Sequence, residues 1–82
     1  MFMPIDITEN TIRARVRNPG EFIQGSFRTI TLDEAQGIKQ VIGRLIGKTT
    51  TTAQSIIFDL NKKRWTREMV EMWIRDHGLK VI

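Results

Sequence analysis

Arg13, Arg15 and Arg17 occupy every second position of one short segment, with Ile12, Ala14 and Val16 in register between them. On an extended chain this alternation puts the three guanidinium groups on one face, roughly 6.7 Å apart, twice the strand rise. Guanidinium groups take phosphate or carboxylate oxygens two at a time, so such a row can follow adjacent phosphates or a line of carboxylates. It is equally the pattern of a solvated sheet face. A second cationic group, Lys62, Lys63, Arg64 and Arg67, stands at the entrance to a helical pattern. Helix N-termini already attract anions through their free N–H groups, and added cations raise the local potential. A charged turn needs no ligand, however, and solubility alone accounts for one.

Other chemistry finds little to build on. Gly47-Lys48-Thr49 invites comparison with a phosphate-binding loop, but Ile42 stands where that motif needs its first glycine, and the threonine run is a poor helix start. A turn between strands explains it better. His77 is the single histidine and there is no cysteine, so a transition-metal site has no second ligand and thiol chemistry has no nucleophile. An imidazole near a helix C-terminus is favoured by the helix dipole. The carboxylates are scattered, and no nucleophile and base share a motif, so a noncatalytic protein without a cofactor is expected. Trp65 and Trp73 offer stacking surfaces, yet their positions favour packing.

The elements that must position these residues follow from periodicity. Residues 1–10 show no clear pattern and are expected to form a lead-in arm. Thr11 to Arg17 reads as a strand that ends at Asn18-Pro19-Gly20, and Ser26 to Leu32 as a second strand, giving a hairpin with a long connection. The middle is ambiguous. Thr31-Leu32-Asp33-Glu34 resembles a capping box, and Ile38, Val41, Ile42 and Leu45 have helical spacing. Against a helix stand Gly37 and Gly43, each costing about 1 kcal/mol in a helix interior. The preferred alternative is a second hairpin, Val41 to Ile46 turning at Gly47-Lys48 and returning through Thr49 to Phe58. The last helix is the clearest element. Thr66 is a good N-cap, Trp65 and Val70 form a hydrophobic staple, Gly78 suits the residue after the last turn, and Glu71 to Arg75 is a favourable pair. Leu79 to Ile82 could add a short strand.

Composition sets the scale. Eighty-two residues hold one core, and 40% apolar with 27% charged residues suits a folded soluble domain. Thirteen basic against nine acidic residues give a net charge of +4, which favours a polyanionic partner without requiring one. The N-terminus lacks a basic region followed by an apolar stretch, and no run approaches the roughly 20 apolar residues of a membrane span, so a cytoplasmic protein without a membrane partner is expected. The expected fold class is α+β: about four mainly antiparallel strands with one C-terminal amphipathic helix packed on them, a single domain over residues 11–82. Ile12, Ala14, Val16, Ile56, Phe58, Met69, Val70 and Trp73 are the expected core. Strand edges in so small a sheet invite pairing with another copy, making a homo-oligomer a natural partner state.

Most of the chain also resembles small modules encoded by tailed bacteriophages and prophages. The resemblance rests on Gly25-Ser26-Phe27-Arg28-Thr29, on Gly43-Arg44-Leu45-Ile46-Gly47-Lys48, on Gln54-Ser55-Ile56-Ile57-Phe58, and on the block from Phe58 through Lys62, Trp65 and Thr66 to Met72-Trp73-Ile74 and His77-Gly78. Such modules occur as free small proteins and beside head-maturation proteins. The resemblance implies a phage context in the host cytoplasm or on the virion, and no enzymatic activity. Joined to the charge pattern, it leaves two expectations: a module contacting DNA, RNA or a nucleoprotein through Arg13, Arg15, Arg17, Lys62, Lys63, Arg64 and Arg67, or a structural module binding a phage or host protein.

Overall fold

The computed structural model describes residues 4–82. Five strands, β1 (Ile5–Ile7), β2 (Thr11–Arg15), β3 (Arg28–Asp33), β4 (Ile38–Arg44) and β5 (Thr51–Asp59), form one antiparallel sheet in the order β1-β2-β5-β4-β3, and helix α1 (Arg67–Asp76) follows. The fold is the expected α+β, with five strands instead of about four. The extra strand is β1, inside the segment expected to be an arm. It pairs Ile5 with Ala14 and Ile7 with Ile12. Three residues are too few to show a period, so pairing rather than pattern defines this strand. The first three residues of that arm lie outside the described residues.

Two further expectations are corrected. β2 and β3 do not form a hairpin: β5 and β4 lie between them, and residues 16–27 connect opposite halves of the sheet. Periodicity identifies a strand but carries nothing about its partner. Residues 79–82 are not a strand, although Ile82 N–H donates to the Arg15 carbonyl at 3.1 Å.

In the ambiguous middle the hairpin prevails. β4 pairs with β5 from Ile38↔Phe58 to Arg44↔Thr51. Gly37 decides the start of β4: it adopts φ 71°, and a Cβ there would stand 2.7 Å from Lys62 Cβ and 2.8 Å from Asp59 Cβ. The would-be capping box is instead the end of β3 running into the β3–β4 turn, where Asp33 Oδ1 accepts from Gln36 N–H.

Ile12, Ala14, Ile38, Ile56 and Phe58 face α1, which covers them with Val70 and Ile74, and Ile5 and Trp65 complete the core. The helix begins as expected: Thr66 Oγ1 accepts from Met69 N–H, and Trp65 and Val70 are both buried. Trp65 Nε1 donates to the Gln36 carbonyl, so its indole is paired as well as buried. Trp73 and Met69 pack on the core but stay partly open. The helical ion pair is Arg67 to Glu71 (3.0 Å), one turn before the expected Glu71 to Arg75. No helix among the described residues is long and apolar enough to cross a membrane.

Candidate nucleic-acid interface

Because Ile12 and Ala14 point at the helix, Arg13 and Arg15 project from the other face of the sheet. There they line a groove of about 340 Å³ with Pro19, Phe27, Thr29, Val41 and Gln54. Its floor depends on an irregularity. Val41 pairs with Ser55 and Ile42 with Ala53, so Gln54 is an extra residue in β5. A bulge of this kind re-aims a side chain. As a result two successive residues turn to the same guanidinium: Arg13 Nε donates to Ser55 Oγ at 3.1 Å and Nη2 to Gln54 Oε1 at 3.0 Å. Gln54 Nε2 in turn donates to the Arg17 carbonyl. Gln54 and Ser55 are both buried, so Arg13 is held by groups that have nowhere else to turn.

These two bonds use two of the five guanidinium donors, and the terminal edge remains able to grip an anion bidentately. Burial, and then repulsion from Arg15, lower the Arg13 pKa, while Asp6 opposite it on β1 raises it. The guanidinium keeps its charge at ordinary pH regardless. Arg17 leaves the row. The Val16 and Arg17 N–H groups both donate to the Gln54 carbonyl, which breaks the alternation after Arg15. Arg17 Nε then lies 3.4 Å from Glu21 Oε1, close enough for an ion pair but without hydrogen-bond geometry.

Two residues that charge spacing does not single out share this face, Phe27 in the lining of the groove and Lys39 beyond it. Lys39 shares the open face, because Arg13 pairs with Ile57 and Ile57 with Lys39. It sits two strands from Arg13, about 10 Å across the sheet. Phe27 is 38% exposed and rests against the buried Phe22, ring centroids 5.2 Å apart. Gly43 makes room for this pair: a Cβ there would lie 2.8 Å from Phe22 and 3.0 Å from Phe27. The signal for Phe27 is its place in the Gly25 to Thr29 motif, which periodicity does not weigh.

The second basic group lies elsewhere. Arg67 heads the helix, on the sheet face opposite the arginine groove, and is engaged by Glu71. Lys62 Nζ is 3.8 Å from Glu34. Lys63 Nζ donates to Gln36 Oε1 and sits 4.5 Å above the Trp65 ring, and Arg64 is exposed. Three of the four therefore have local partners, and the cluster does not extend the groove. His77 stacks on Trp73 with ring centroids 3.7 Å apart, and its Nδ1 donates to the Trp73 carbonyl.

No family model, curated protein or solved structure matches the chain.

Proposed function

We propose that this chain is a noncatalytic nucleic-acid-binding module whose working surface is the sheet face opposite α1. The observation that carries this reading is a partly exposed aromatic ring, Phe27, sharing one groove with Arg13 and Arg15. Cationic groups beside an open aromatic face are what a single strand requires: phosphates meet the guanidinium groups and a base stacks on the ring. Arg13 and Arg15 hold the backbone, Phe27 supports a base, and Lys39 continues the positive track. The resemblance to phage modules supports a setting in which the ligand is phage or host DNA or RNA.

The test is a fluorescence titration of the protein with mixed-sequence single-stranded DNA and RNA oligonucleotides at several salt concentrations. Binding that weakens with salt, and that Arg15→Gln and Phe27→Ala both reduce while circular dichroism stays unchanged, is the expected result. Absence of binding by the wild type at low salt rejects the reading and favours the protein-interaction alternative.

A further inference from the structure

β3 forms one edge of the sheet. Ile30 and Leu32 are 40% and 43% exposed, and every residue from Arg28 to Leu32 is exposed. Edge strands in monomeric proteins are blunted by proline, by a central charge or by shortness. β3 has six residues, no proline, and its only charges, Arg28 and Asp33, sit at opposite ends with opposite sign. The other edge, β1, is half as long.

The backbone specifies which groups lie open. Arg44 turns its N–H to Ser26 Oγ and its carbonyl to Ile23 N–H, both on the β3 side, while the Gly37 carbonyl accepts from Asp59 on the β5 side. Even-numbered residues of β4 therefore bond toward β3. Since Arg28 pairs with Ile42 and Ile30 with Gln40, Arg28 and Ile30 spend their backbone groups on β4. Thr29 and Thr31 direct theirs outward.

We propose that β3 pairs antiparallel with β3 of a second copy about a two-fold axis through Ile30, joining two five-stranded sheets into one. In that register Thr29 of each copy faces Thr31 of the other, so every outward N–H and carbonyl of the two threonines finds a partner. The two Ile30 side chains meet at the axis, in the close non-hydrogen-bonded position. Each Arg28 lies opposite the other copy's Leu32 and next to its Asp33. The bulge between Thr31 and Asp33 makes this charge match possible: Asp33 pairs with Ile38 and Arg28 with Ile42, so both point to the helix-bearing face although they stand an odd number of positions apart along the chain. A shift by one pair in either direction leaves threonine groups unpaired. The axis is normal to the sheet, which leaves both arginine grooves on one face and both helices on the other. The pairing stands whether or not those grooves bind nucleic acid.

Sedimentation velocity over a concentration series, with hydrogen exchange read at single amides, tests the proposal. A reversible dimer is expected for the wild type. Ile30→Lys places like charges at the axis and Thr29→Pro removes an outward N–H that β4 does not use; each should raise the dimer dissociation constant at least about tenfold. Their circular dichroism should match the wild type. The Thr29 and Thr31 amides should exchange slowly in the dimer and fast in the Ile30→Lys monomer, whereas those of Arg28 and Ile30 stay slow in both. A wild type that remains monomeric throughout, a dimer indifferent to both substitutions, or fast exchange at Thr29 and Thr31 in the dimer would each overturn it. Should either variant fail to fold, the wild-type exchange pattern alone decides.

Discussion

Arg13 shows how one side chain can serve stability and binding at once. Its bonds to Gln54 and Ser55 satisfy two buried polar groups, so Arg13→Gln should cost about 1–2 kcal/mol of stability by leaving them short of a donor. Strand alternation alone puts all three arginines on one wet face; Arg13 is instead held by buried partners and Arg17 leaves the row. Chemical denaturation of Arg13→Gln against the wild type checks this cost. Gly43→Ala probes the aromatic side of the same groove. A methyl group there must displace Phe22 or Phe27, and destabilisation of about 1–3 kcal/mol is expected, the usual range for overpacking. Asp33 gives the pH dependence. Its hydrogen bonds from Gln36, side chain first and then backbone, hold its pKa below the ordinary 3.8. Because the folded value is the lower one, the stabilisation is complete above pH 3.8 and fades as the pH falls through the folded pKa. The melting-temperature difference between wild type and Asp33→Asn should accordingly be present at neutral pH and shrink in acid. What the sequence made legible at this scale was the arginine spacing. The bulge that recruits Gln54 was not legible, because an unpaired residue looks like any other until its neighbour strand is known.

At the scale of elements, α1 was the most readable part because its signals are local: Thr66, Trp65, Val70 and Gly78 all act within a few residues of the helix ends. Thr66→Ala should cost about 1 kcal/mol through loss of the cap. Trp73 packs edge-on to Phe58 with centroids 5.5 Å apart but is only partly buried. Trp73→Ala should therefore cost about 2–3 kcal/mol, less than for a wholly enclosed ring. Thermal or denaturant unfolding of the two variants measures both. The strands were legible one by one through alternation and β-branched content, and β4 to β5 also as a pair, because the Gly47-Lys48 turn joins them directly. The partner of β2 was hidden, since nothing local marks a contact made across four tens of residues. The shortness of β1 hid it for the opposite reason, offering too few positions for a pattern.

For the whole molecule, the sheet separates the two basic groups that composition counts together. The net charge of +4 does not form one surface, because Arg67 heads the helix on one face while Arg13, Arg15 and Lys39 lie on the other. The salt dependence should reflect the smaller number. With about 0.7 in slope per neutralised phosphate on single strands, three cations give a log–log slope of about −2, and Arg67→Gln should leave it unchanged. The strand order has a kinetic counterpart. β3, β4 and β5 are neighbours in sequence and form a meander, while β2 must reach β5 from far away: Arg13 and Ser55 are 42 residues apart. Closing so long a loop is entropically slow, and the meander is the natural nucleus. Ile38→Val should therefore slow refolding in stopped-flow experiments, while Ile12→Val should chiefly speed unfolding. On the ribosome the consequence is an inversion of order: the hairpin of β1 and β2 is synthesised first and docked last, and its apolar Ile5 and Ile12 must wait, uncovered, until β5 has emerged.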